Sequence, residues 1–133
     1  MNNDIIKLEE LKMVDKLAIQ RTIHAERSTL LAWVRTSLSL IGFGFTIFKV
    51  LQYVLKEGTS LLMRPETPRN VGLFLLLTGT IPLLLAIIEY VRGIKRLGYK
   101  GNMLLEPNFL AAGAIFLLGA ILILTIILRI SFL

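Results

Sequence analysis

Residues Leu30–Leu55 read LLAWVRTSLSLIGFGFTIFKVLQYVL. This run is longer than the roughly 20 residues that carry a helix across a hydrocarbon core, so it predicts a membrane span that tilts or projects. Two runs of the same kind follow, 71–91 and 109–128, and most charges lie between the runs. Hydrophobic residues make up 55% of the chain and charged residues 18%, and their segregation argues for spans rather than a soluble core. The expected fold is an all-α integral membrane domain over residues 1–133, with span 1 at 30–55, span 2 at 71–91 and span 3 at 109–128. Pro82 lies within span 2 and removes one backbone donor there, which predicts a kink.

Upstream of the first span, residues 5–27 predict an amphipathic helix outside the hydrocarbon. Ile5, Leu8, Leu11, Val14, Leu17 and Ala18 fall on one stripe. Its charges balance, with Lys7, Lys12, Lys16, Arg21 and Arg27 against Asp4, Glu9, Glu10, Asp15 and Glu26. Protein packing or a shallow interfacial position fits such a helix better than electrostatic binding to lipid. The alternation of acid and base ahead of any apolar run is unlike a signal peptide, so the first span is expected to stay as an anchor.

Cysteine is absent and His24 is the one histidine, which removes disulfides, thiolate chemistry and most transition-metal sites. No metal and no cofactor is expected. The net charge of +6 is read as orientation and lipid contact, and nucleic acid is not an expected partner. The five bases before span 1 and four after span 2 (Arg92, Lys95, Arg96, Lys100) outnumber Lys56, Arg64, Arg69 and Arg129 on the other side. By the positive-inside rule the N-terminus is expected in the cytoplasm and the C-terminus outside.

Alternating steps of four and three along span 1 give Arg21, Ala25, Ser28, Ala32, Arg35, Ser39, Gly42, Thr46, Lys49 and Tyr53. That spacing keeps to one helix face, and every member is small, polar or basic apart from the terminal tyrosine. Arg35 lies inside the apolar run, where a cation costs about 3 kcal/mol on insertion scales, so it is expected to meet protein or water. Lys49, roughly 21 Å further along the helix, is expected to snorkel toward the far interface. Two readings stand. Copies that turn this face to a shared axis would stack rings of Arg21, Arg35 and Lys49 along a path solvated by Ser28, Ser39 and Thr46. Otherwise Ala32, Ser39 and Gly42 admit a neighbouring helix, and Arg35 pairs with an acid.

Depth singles out Glu89 as that acid, with Arg27 or Arg92 sharing its carboxylate and Glu26 as a further member of the ion-pair set. Small residues predict helix contacts: Gly42 in span 1, Gly72, Gly79, Ala86 and Gly93 at steps of seven in span 2, and Ala112, Gly113, Gly119 and Ala120 in span 3. Trp33 and Tyr90 fit an aromatic belt at one interface and Tyr53 at the other.

The stretch Arg21–Lys49, RTIHAERSTLLAWVRTSLSLIGFGFTIFK, resembles the signature of a family of small three-span proteins. The family includes bacterial YidH-type inner-membrane proteins and the membrane domain of the vacuolar transporter chaperone, the eukaryotic polyphosphate polymerase complex. The LAWVRTSL core at Leu31–Leu38 and the FGFTIFK that follows carry the resemblance. The family pattern places an acid, an arginine and a threonine just before this core. Here Ser28 stands where that arginine is expected, Thr29 matches, and Glu26–Arg27 stand one position early. The resemblance implies copies assembled around an axis, with first-span basic residues, Arg35 among them, lining a polyanion path.

The expected function is that of a homo-oligomer, a pentamer or trimer in a bacterial inner membrane, whose first spans surround an anion or polyphosphate-like path. Its expected partners are further copies of itself, membrane lipids and anions. The alternative is a noncatalytic scaffold or regulatory subunit that binds other membrane proteins. No nucleophile with a base, metal cluster or phosphate loop suggests an enzyme.

Overall fold

A computed structural model describes residues 1–58, 64, 66–98, 101–102 and 105–131, with side chains at 129–131 outside the description. The expected Lys100 and Arg129 charges fall outside the described side chains. The described residues form three helices: α1 (Asn2–Lys56), α2 (Thr67–Arg96) and α3 (Pro107–Ser131). All three contain stretches long and apolar enough to cross a membrane.

The expected helix at 5–27 and the span at 30–55 are one element. No glycine or proline occurs before Gly42, so nothing in the backbone breaks the helix where it leaves the apolar run. At 55 residues, α1 is roughly 80 Å long. Residues 1–22 are all exposed. Helices α2 and α3 each begin at or just before a proline, Pro68 and Pro107, whose fixed φ suits a first turn. Within α2, Pro82 is accommodated without ending the helix.

The largest interface joins α1 to α2. Leu30, Val34, Ser37, Ile41, Gly44 and Phe48 are buried on α1, again at alternating steps of four and three. They meet Gly72, Leu76, Gly79, Leu83, Ala86 and Tyr90, which keep the same rhythm on α2. Lipid offers no hydrophobic drive between helices, so close backbone approach and van der Waals contact have to hold them together. A Cβ at Gly72 would stand 2.7 Å from the Phe48 Cβ, and one at Gly44 2.8 Å from the Leu75 Cβ. These contacts set an antiparallel register: Gly93 against Glu26, Gly79 against Leu40 and Ile41, Gly72 against Phe48. Helix α3 closes over the pair through Ala112, Ile126 and Gly119, the last lying against Thr80 and Ile41.

Candidate functional site

The sequence offers two places for chemistry, the polar face of α1 and the charged groups near its Arg27 level. The structure separates them. All ten members of the polar face, from Arg21 through Ala25, Ser28, Ala32, Arg35, Ser39, Gly42, Thr46 and Lys49 to Tyr53, are exposed. The face points away from α2 and α3 because the buried positions follow the same heptad two residues out of phase, close to the opposite side of the helix.

Gly42 shows this most plainly: a Cβ there would meet nothing within 4 Å. The expectation that Gly42 packs a helix is corrected within the chain, where Gly44 holds that position instead. In contrast, Gly72, Gly79 and Gly93 do lie against α1, Ala86 and Ala112 are buried, and Gly119 contacts Thr80. Gly113 and Ala120 are exposed.

On the polar face, the Ser39 hydroxyl donates to the Arg35 carbonyl at 3.0 Å, and the Thr46 hydroxyl donates to the Gly42 carbonyl at 2.8 Å. Those protons are committed to the helix, so these two oxygens turn lone pairs outward and the cations supply most of the attraction for an anion. The Lys49 ammonium is 5.7 Å from the centre of the Phe45 ring. Instead of reaching onward, it folds back over the preceding turn, the direction helical side chains favour, and gains a cation–π contact.

The pairing of Arg35 with Glu89 is also corrected. Both side chains are exposed and no ion pair joins them. The register explains it, since Gly93 beside Glu26 and Gly79 beside Ile41 put Glu89 near the level of Leu30, about one and a half turns from Arg35. Arg92 is exposed as well, and the Glu26 carboxylate lies on Gly93 rather than on a base. Glu26 and Glu89 border a cleft of about 210 Å³ with Thr22, Thr29, Trp33 and Tyr90. Two carboxylates make that cleft unsuited to an anion.

Among the described residues, the ion pair that forms is Arg27 with Glu106. The guanidinium donates through Nε at 3.2 Å and through Nη2 to the two oxygens of one carboxylate, and the Tyr90 hydroxyl donates to Oε2 at 2.6 Å. Burial pushes the Glu106 carboxyl up, but the Tyr90 and Arg27 donors outweigh it and hold the group below its ordinary value. Tyr90 is fully buried, with Phe109 beside its ring at 6.4 Å, so it serves as an interior anchor rather than a member of an interfacial belt. Sequence reasoning included Arg27 but not its partner. The signal was available, since Glu106 immediately precedes span 3 on the same expected side as Arg27.

Three apolar helices with an uncovered polar face define a small membrane protein of the three-helix type. The family model described as a domain of unknown function, DUF202, matches residues 20–96, more than half of the chain, and the protein belongs to that family of small membrane proteins. The match opens one residue before Arg21 and closes at the last residue of α2, so it contains the polar face and the α1–α2 seam. No curated protein and no solved structure matches the chain.

Proposed function

We propose that the protein is a homo-oligomer, a pentamer or trimer in a bacterial inner membrane, whose α1 faces surround a path for anions of the polyphosphate class. It is noncatalytic, with its N-terminus in the cytoplasm and its C-terminus outside. The observation that carries this reading is that the polar face, Arg35 included, is uncovered by its own chain although it lies in an apolar span. An isolated copy would present Arg35, Ser39 and Thr46 to lipid, at a cost of about 3 kcal/mol for the cation alone. Copies that turn the faces inward replace lipid by water and by one another, and stack Arg21, Arg35 and Lys49 into basic rings. The resemblance of the LAWVRTSL core to YidH-type proteins and to the membrane domain of the polyphosphate polymerase complex favours the same arrangement.

The reading is tested in liposomes holding the purified protein. Anion flux is expected, and Arg35→Ala is expected to reduce it while leaving oligomer size unchanged. Protein that assembles but conducts nothing would point instead to a scaffold, whose polar face takes up other membrane proteins.

A further inference from the structure

Helix α1 continues from the apolar run toward its N-terminus for roughly 40 Å without a hinge. Followed upstream, the polar-face register passes through Ala18, Val14, Leu11, Lys7 and Asp4. The face is therefore small, polar and basic where the helix lies in the membrane segment, and largely apolar at Leu11, Val14 and Ala18 where it has left that segment. Leu11 is 57% exposed and Val14 61% exposed. Each half is mismatched to the medium that would surround a single chain, lipid for the first and water for the second. One arrangement relieves both mismatches, because the halves share one face.

The membrane surface is a poor cover for this segment. To lie on lipid it would have to bend away from the span, and no glycine or proline before Gly42 allows that. Its bases and acids also balance, so an anionic surface has little hold on it. The same balance lets identical helices come together without net repulsion. The four-three register runs on from Asp4 to Tyr53, and copies that keep it in contact over many turns would coil around one another with a left hand. Lys7, Arg21, Arg35 and Lys49 recur at every second turn-pair of that register, fourteen residues apart, so one ladder of cations runs through both halves.

We infer that the N-terminal third of α1 docks on the same segment of further copies of this chain. It forms a helical collar coaxial with the proposed path, with Leu11, Val14 and Ala18 as an apolar tier between rings of Lys7 and Arg21. The inference rests on the homo-oligomer reading and adds to it a partner surface outside the membrane and a dry constriction at one mouth.

The chain has no cysteine, so single substitutions give a clean test in the full-length protein. Val14→Cys probes the collar, Ser39→Cys the membrane face, and Lys16→Cys, on the far side of the helix, serves as the control. Membranes are treated with a mild oxidant. Cross-linking between copies at both Val14→Cys and Ser39→Cys, several-fold above Lys16→Cys, is the expected result. Cross-linking at Ser39→Cys with Val14→Cys no better than the control overturns the collar and leaves the oligomer standing. Failure at both positions overturns the two together. A Val14→Cys adduct whose mass is not a multiple of the chain overturns the inference in favour of a different protein partner.

Discussion

Arg27 and Glu106 join the N-terminal approach of α1 to the residue that introduces α3, with Tyr90 of α2 donating to the same carboxylate. All three helices are tied at one point. Glu106 is 14% exposed and Arg27 28%, so the pair is shielded in part and solvent still weakens it. Arg27→Ala strands a largely shielded carboxylate and is expected to lower stability in detergent by about 1 kcal/mol, read as a drop in melting temperature. Glu106→Gln keeps the shape and is expected to be milder.

The depressed Glu106 carboxyl gives that linkage a sign. A group that titrates lower when folded adds stability above its unfolded value, and loses it as pH falls through the folded one. Melting temperature is therefore expected to decline on the acid side of the ordinary carboxylate range in the wild type. Glu106→Gln should flatten that decline, and an unchanged acid limb would assign it to other carboxylates.

Gly42 and Gly44 are two residues apart and face opposite sides. At Gly44 a Cβ would press on Leu75 at 2.8 Å and on the Leu76 nitrogen at 3.3 Å, whereas at Gly42 it would meet nothing. Gly44→Ala is expected to destabilise the fold by about 1–3 kcal/mol through overpacking. Gly42→Ala should leave the monomer fold intact or stabilise it by about 1 kcal/mol through helix propensity. Thermal melts of the two variants side by side check this, and equal losses would mean that both faces are packed.

Much of this is legible in the amino-acid sequence. Three apolar runs separated by charge define three helices, and the heptad of small and polar residues marks a distinct face of α1. The seven-step glycine series in α2 marks its contact with α1. Which face of α1 that series meets was not legible. Ala32, Ser39 and Gly42 look as suited to close approach as Ser37 and Gly44, and only the placement of Phe48 and Ile41 against glycines decides between them. The ion pair was missed for a related reason. Counting from the ends of the apolar runs puts Glu89 at the depth of Arg35, but the antiparallel register sets it near Leu30, and both side chains face away from the α1–α2 seam.

Thr80 is buried in α2 beside Gly119, and its Oγ1 has no hydrogen-bond partner. Thr78 and Thr125, by comparison, donate to the carbonyl four residues back. An unsatisfied buried hydroxyl costs about 1–3 kcal/mol, and removing it with the shape retained recovers part of that. Thr80→Val is accordingly expected to raise the melting temperature. A fall would indicate that Oγ1 holds a water or finds a partner in the assembled protein.

Arg35 and Lys49 are both exposed on the polar face, and Lys49 makes a cation–π contact with Phe45. Within the proposed path, an ammonium drawn onto its own helix contributes less to the field at the axis than a guanidinium free to extend. Removing the charge at Arg35 is therefore expected to reduce anion flux more than removing it at Lys49. Phe45→Ala, which releases the ammonium, should raise the contribution of Lys49. Reversing the charge with Arg35→Glu is expected to shift the selectivity of the path toward cations, because a ring of carboxylates replaces a ring of guanidiniums at its midpoint. Reversal potentials in planar bilayers under a salt gradient measure that shift. A conductance whose selectivity is unmoved by Arg35→Glu would place the ion path somewhere other than along this face.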